Sequence, residues 1–250
     1  MSAVFSVVAA QDDSARHDSA WRNLAFDEAL LRAKPQSPVL WLWRNPQCVV
    51  LGRGQRAERE VDFSACSADG VPVLRRGSGG GTVYHDRGNL NITLVQPGAV
   101  EPLELLGTAL STLVSELGLS PRLTKRGLFI GADKLCGFAA LRTKEGVLAH
   151  STLLVSSNPE LVTRYLTPTP EQAHPLDSER SPVTTLAAHG IGGYPDNLVI
   201  DAMSRELGTA IHRGPNEAEL AQEQLLMHSR YGFSPWHLSG RARQLTAAPS

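Results

Sequence analysis

The chain has 250 residues, 42% of them hydrophobic and 20% charged, with 24 basic and 25 acidic side chains. This is the composition of an ordinary globular protein with enough chain for a sizeable core. A net charge of -1 leaves no electrostatic footprint for nucleic acid or a membrane surface, and no apolar run reaches the roughly 20 residues that span a bilayer.

Residues 1–11 are apolar but lack a basic leader and a cleavage site, so a secretory signal is not expected. Asp18 and Ser19 can cap a helix over 21–33, with Leu24, Leu30 and Leu31 on its apolar face and Asp27 and Glu28 outside. Residues 39–44 and 48–51 read as two strands joined at Asn45-Pro46, which suggests a hairpin. A third short strand is expected at 71–75. Beyond a run of glycines, strands are expected at 82–85 and 90–95.

Pro102 opens the clearest amphipathic helix, with Leu103, Leu106, Leu110, Leu113 and Leu117 at spacings of three and four before Gly118. Strands follow at 128–130, 134–141 and 147–155. Asn158-Pro159 opens a short helix to Tyr165. Residues 167–182, rich in Pro, Ser, Asp and Glu, read as a mobile loop. Helices are expected near 197–211 and 216–231, the second with a capping box of Asn216 and Glu219, and the tail from Ser239 is expected to fray. Runs of strands between isolated helices, without strict βαβ alternation, predict an α+β fold with mixed or antiparallel sheets flanked by helices.

Cys48, Cys66 and Cys136 are an odd, sparse set without a CxxC pair. They exclude a disulfide framework and a zinc site of that kind, and the compartment reads as cytoplasmic. Lysine occurs only at 34, 125, 134 and 144, which draws attention to Lys134 inside an apolar segment.

The most informative stretch runs Arg75-Arg76-Gly77-Ser78-Gly79-Gly80-Gly81-Thr82-Val83-Tyr84-His85-Asp86. Such glycines serve equally as a flexible hairpin loop or as a backbone cradle for an anion, with an arginine at the mouth to clamp a phosphate or carboxylate. The stretch is not a Walker A loop, since no Gly-Lys-Ser/Thr follows. Nor is it a Rossmann fingerprint, since a strand comes next. Lys134, in Asp133-Lys134-Leu135-Cys136-Gly137-Phe138-Ala139, reads either as a surface lysine at a strand start or as a functional cation. His150, before Ser151-Thr152-Leu153-Leu154, reads first as structural and second as substrate-orienting.

These segments resemble the signature motifs of the lipoate-protein ligase family, in the biotin and lipoyl protein ligase superfamily. The likeness takes in the glycine stretch, Leu42-Trp43-Arg44-Asn45, Val49-Val50-Leu51-Gly52-Arg53 and Gly88-Asn89. It also takes in the lysine segment, with Ala132 where the family motif begins with glycine, the His150 strand, with Ser151 for glycine, and Ser181-Pro182-Val183-Thr184-Thr185-Leu186. The resemblance spans about 21–231 and implies a ligase-like catalytic domain. It implies that Arg76 contacts phosphate, and that Ser78, Gly79, Gly80, Gly81, Thr82, Val83, Tyr84 and His85 line the nucleotide and acyl site. Lys134 would bridge the acyl carbonyl and the α-phosphate, where charge builds in both half-reactions. Asn89, Gly137, His150 and Thr152 would orient substrate.

The implied reaction uses ATP and Mg2+ to adenylate lipoate or octanoate and passes the acyl group to a lysine of a lipoyl carrier domain. The carrier would be the E2 component of a 2-oxoacid dehydrogenase or a glycine-cleavage H-like protein. Related octanoyltransferases use a cysteine nucleophile. At their two cysteine positions this chain has Leu166-Thr167-Pro168-Thr169-Pro170 and residues 125–128, without cysteine. Two departures accompany the ligase reading. Family members commonly have Arg-Asn-Asp where this chain has Arg126-Gly127-Leu128, which removes a polar pair that positions nucleotide and metal. The chain also reads as a single catalytic domain over 1–250, without the accessory C-terminal domain of many ligases. That implies a separate accessory subunit, an abbreviated ligase, or a non-catalytic lipoyl-binding subunit.

Overall fold

The computed structural model describes residues 3–8, 19–169, 171–172 and 174–243. The apolar N-terminal stretch contains a strand, β1 (Val4–Val8). Helix α1 (Ala20–Arg32) starts at Ser19, whose side chain accepts the Arg22 N–H. Asp18, the other expected cap, lies outside the described residues. Strands β2 (Val39–Trp43) and β3 (Cys48–Leu51) follow. They are not a hairpin: β2 pairs with β1 and with the later strand at Asn89–Pro97, while β3 belongs to a second sheet. The Asn45-Pro46 corner carries the chain from one sheet to the other.

The order continues through α2 (Ala57–Glu60), α3 (Phe63–Asp69), β4 (Val73–Arg75), β5 (Val83–His85) and β6 (Asn89–Pro97). Helix α4 (Pro102–Glu116) follows with proline in its first turn, as its spacing predicts. A four-stranded antiparallel meander comes next: β7 (Pro121–Thr124), β8 (Gly127–Ile130), β9 (Asp133–Thr143) and β10 (Gly146–Leu154). Asn158 caps α5 (Pro159–Tyr165). Helix α6 (Asp196–Leu207) is shorter than expected, because Gly208 ends it and Ile211 lies in strand β11 (Thr209–Arg213). The Asn216–Glu219 capping box opens α7 (Glu217–Leu226), a π turn follows (Met227–Tyr231), and α8 (Ser234–Ser239) is the last described helix. Residues 244–250 of the expected frayed tail lie outside the described residues.

The fold is therefore mixed α+β, as expected. Eight strands form one sheet in the order β11-β1-β2-β6-β10-β9-β8-β7, and three form another in the order β4-β3-β5. One face of the large sheet packs on α4 and α6 through Leu40, Ile92, Leu94, Leu110, Leu153 and Met203. The other face packs on α1 through Trp41, Trp43, Phe26 and Leu30. Fully burying each such side chain contributes about 1.5–3 kcal/mol.

Helix α1 corrects one reading. Asp27 and Glu28 are not outside but 4% and 2% exposed. The sheet covers one side of α1, and α7 with the π turn covers the other, so its polar face meets protein instead of water. Glu28 is accordingly paired with Arg32, Arg230 and the Tyr231 hydroxyl.

Arg75 and Arg76 are adjacent at the end of β4 and point opposite ways. Arg75, 2% exposed, donates to the carbonyls of Gly52, Gln55, Trp236 and Leu238 and so ties α8 to the small sheet. Arg75→Leu strands these buried acceptors. It is expected to cost about 3 kcal/mol and lower the thermal midpoint by about 6–12 °C in a calorimetric scan.

Candidate active site

Two rows of side chains cross the face of the large sheet that looks toward α1. Register aligns Gly137, Thr152, Asn91 and Trp43 in one row and Ala139, His150, Thr93 and Trp41 in the next. Lys134 joins them through an irregularity. Cys136 pairs with Leu128, but Lys134 pairs with Phe129, so β9 carries one extra residue there. A bulge of this kind re-aims side chains. It sends Leu135 and Cys136 into the core and leaves Lys134 on the cavity wall with Gly137 and Ala139.

The glycine segment folds over these rows. Its shape is set from within by Arg76, which is 6% exposed. Its Nη2 donates to the carbonyls of Gly79 and Gly81 at 2.6 and 2.8 Å, Nη1 to Val50 at 3.3 Å, and Nε to Ser78 Oγ at 3.0 Å. Four of its five N–H donors are thus used inside the protein, and burial lowers its pKa to about 10. The tip of the segment rests on Gly52, where an added Cβ would lie 1.9 Å from the Gly80 carbonyl oxygen.

Residues 174–182 close the other side. Ser178 Oγ accepts from the Thr82 N–H and the Gln55 amide at 2.8 and 2.7 Å, while the Ser178 N–H donates to buried Glu60. Arg180 donates to the Thr82 carbonyl and to Glu60, and Asp177 pairs with Arg59.

These elements enclose a cavity of about 470 Å³. Leu24, Trp43, Val50, Val83, Phe138 and Leu154 give it apolar walls, and Lys134, Arg126 and Lys125 supply positive charge. Lys134 is half-buried over the Phe129 ring, at 5.6 Å, with no ion pair among the described residues. Burial lowers its pKa, and the nearby Arg126 adds to that. Two buried polar atoms in the wall, His85 Nε2 and Asn91 Nδ2, find no partner. Buried polar groups rarely stay unpaired, so both point to a ligand.

Of the residues singled out from sequence, Arg76, Gly79, Gly80, Gly81, Thr82, Val83, Tyr84, His85, Lys134, Gly137, His150 and Thr152 line this one cavity. Ser78 bonds to two of its lining residues, Arg76 and His150. Asn89 stands behind the wall and donates to Asn91. Sequence reasoning missed Asp27, Gln55, Asn91 and Ser178. An open cleft of about 560 Å³ beside α7, lined by Arg22, Glu223 and His228, contains none of the predicted residues.

A mixed α+β frame around one part-apolar, cation-lined cavity is the layout of a small-molecule-binding enzyme domain. The chain belongs to the lipoyl protein ligase A/B catalytic domain family, whose profile matches residues 19–208. It is 35% identical over 170 residues to the lipoate-protein ligase A of Psychrobacter cryohalolentis, covering 67% of this chain and 49% of that protein. It is 34% identical over 168 residues to a candidate lipoate-protein ligase A of Aeropyrum pernix, covering 65% of this chain and 62% of that one. The chain thus matches about half to three fifths of the length of these curated relatives. Its fold is shared with a bipartite lipoate protein ligase of Thermoplasma acidophilum, studied with its E2 lipoyl domain. The TM-score there is 0.82 at 23% identity, covering 98% of this chain and 100% of that one. A crystal structure of lipoate-protein ligase A bound with ATP matches with a TM-score of 0.81 at 23% identity, over 95% and 99% of the two chains.

Burial lowers the His85 pKa from 6.5 to about 3, with smaller contributions from Arg76 and His150. Between those values the unfolded chain binds a proton that the folded one refuses. Stability therefore falls as pH drops from 6.5 toward 3, by up to about 1.4 kcal/mol per pH unit from this group. Denaturant titrations from pH 6 to 4 are expected to show a shallower decline for His85→Asn than for the wild type; parallel curves would refute the assignment. At Gly52, substitution by alanine is expected to displace the glycine segment and to lower the thermal midpoint by several degrees in a calorimetric scan.

Proposed function

We propose that this protein is a lipoate-protein ligase, which adenylates lipoate or octanoate with ATP and transfers the acyl group to a lysine of a lipoyl carrier domain. The observation that carries the reading is the convergence of an apolar pocket, the glycine segment and the half-buried Lys134 on one cavity. The apolar walls take the acyl chain. The glycine backbone and the remaining Arg76 N–H face the nucleotide. In the first step a carboxylate oxygen attacks the α-phosphorus and pyrophosphate leaves. In the second an amine attacks the acyl carbon and AMP leaves. Both steps concentrate negative charge between the carboxyl and the α-phosphate, and a fixed ammonium stabilises both.

The missing polar pair has a local explanation. Leu128 is fully buried in the main core, and a Cβ at Gly127 would lie 2.2 Å from the Cys136 carbonyl oxygen. Neither position can present a polar side chain to the cavity. Among the described residues no group of three or more His, Cys, Asp or Glu could hold a metal. Magnesium is therefore assigned to the phosphates of the nucleotide, as is common for this ion. Carrier proteins of the 2-oxoacid dehydrogenase E2 or glycine-cleavage H type supply the acceptor lysine, with or without an accessory ligase subunit.

Transfer through a cysteine thioester is disfavoured. Cys48, Cys66 and Cys136 are all buried. Burial raises the Cys66 thiol to about 11 and that of Cys136 to about 12, and raises Cys48 further. None is poised as a thiolate. No described helix is long and apolar enough to cross a membrane.

The test is pyrophosphate release on mixing the protein with lipoate and Mg-ATP, without carrier. The wild type is expected to release it, and Lys134→Ala to do so about 100-fold more slowly at an unchanged thermal midpoint. Lipoate binding without release would overturn the adenylation step and favour a binding subunit that needs a partner.

A further inference from the structure

Three side chains from three separate elements stand in one hydrogen-bonded line. His150 Nδ1, from β10, lies 2.8 Å from Asp27 Oδ2 on α1. His150 Nε2 lies 2.7 Å from the Ser78 hydroxyl of the glycine segment. Asp27 is held in turn by the Thr93 hydroxyl at 2.5 Å, and Thr93 accepts from the Trp43 indole N–H at 2.9 Å. The carboxylate fixes the tautomer: Nδ1 carries its proton toward Asp27, and Nε2 is left bare to accept the Ser78 O–H. Ser78 Oγ also accepts from Arg76 Nε, so one lone pair remains for an incoming N–H. Its partners Arg76 and His150 both line the cavity.

The acyl-transfer step needs such a device. A lysine amine is protonated near neutral pH, and the nitrogen must lose protons to attack and to end as an amide. Lys134 and Arg76 are cations and cannot take them. His85, the other imidazole in the wall, is hydrogen-bonded to Asn45 and has no carboxylate behind it.

We infer that His150, oriented by Asp27 and reached through the Ser78 hydroxyl, is the general base that deprotonates the acceptor lysine during transfer. The amine nitrogen bonds to the acyl carbon of the adenylate, and the bond from that carbon to the phosphate oxygen breaks. The ammonium first gives one proton to Ser78 Oγ as the Ser78 proton passes to His150 Nε2; the second N–H proton, made acidic once the nitrogen is acylated, is lost to water. AMP carries away the electron pair of the broken bond. Asp27 is a positioning residue that stabilises the imidazolium so formed, and the proton later leaves to solvent. This rests on the ligase reading.

The two readings are separable if the full chain is given chemically prepared lipoyl-adenylate, so that transfer is read without adenylation. Two acceptors are compared: a lipoyl domain with its lysine, and hydroxylamine, which is already unprotonated at neutral pH, needs no base before it attacks, and loses its one surplus proton to water afterwards. The quantity measured is the ratio of carrier acylation to hydroxamate formation. His150→Gln, Ser78→Ala and Asp27→Asn are each expected to lower that ratio about 100-fold. A general loss of binding or folding would lower both rates together and leave the ratio unmoved. A ratio within about threefold of the wild type in the folded His150→Gln protein would overturn the inference. So would a wild-type ratio no higher than that of the variants, or a lipoyl ester on Ser78 seen by intact mass. A ratio shift without pyrophosphate release from ATP and lipoate would sustain the base and sink the adenylation step.

Discussion

Two adjacent carboxylates inside α1 govern the arrangement of this protein. An ionised carboxylate taken out of water is costly unless it is paired and hydrogen-bonded. Asp27 and Glu28 are both nearly inaccessible, and they face different neighbours. Glu28 gathers Arg32, Arg230 and Tyr231, and so fixes the π turn after α7 against α1. Asp27 gathers His150 and Thr93, and so fixes α1 against the sheet. Together they hold α1 between the sheet on one side and α7 with its π turn on the other.

The same logic holds at the neighbouring arginines. A guanidinium in the interior must find oxygen acceptors for its fork of donors. Arg75 finds them in the backbone of 52–55 and of α8, and Arg76 finds them in the glycine segment itself. A run of glycines would otherwise have wide conformational freedom. Arg76 removes much of it by bonding the carbonyls of Gly79 and Gly81. With those carbonyls turned inward to the arginine, preorganisation of the cavity wall is achieved before any ligand arrives.

Much of the fold was readable because local signals were strong. The leucine spacing of α4, the Asn158 cap of α5 and the Asn216–Glu219 box of α7 each express a local rule that tertiary packing did not oppose. Readings failed where a distant element decided. Val39–Trp43 and Cys48–Leu51 have the pattern of a hairpin, but each finds its partners elsewhere. Asp27 and Glu28 look like a solvent face until α7, more than 180 residues away in the chain, covers it. Most predicted site residues converge because the glycine and lysine motifs are contiguous in sequence. Asp27, Asn91 and Ser178 were missed because their roles arise from neighbours that only the fold supplies. A pair of acidic residues on an otherwise apolar helix is a signal of buried charge that could have found Asp27.

Lys134 shows how a small irregularity carries function. On a regular strand, alternation would place residue 135 with Gly137 and Ala139, and would turn Lys134 toward the core. The extra residue in β9 reverses that parity, so leucine enters the core and lysine enters the cavity. Gly127, on the facing strand, permits the close approach that the bulge requires. Two further backbone bonds fix the result: the Lys134 N–H donates to the Pro182 carbonyl and its own carbonyl accepts from Thr184, which together pair Lys134 with Val183 in a parallel bridge. A lysine is soft in charge when buried, and desolvation here does lower its pKa. An ammonium that forms no ion pair among the described residues keeps most of its attraction for an incoming anion instead of spending it within the protein. The unpaired His85 and Asn91 atoms at the apolar side of the same cavity follow the same rule. At each, the fold tolerates a local cost that a bound molecule would relieve, and this makes the cavity a site rather than a packing defect.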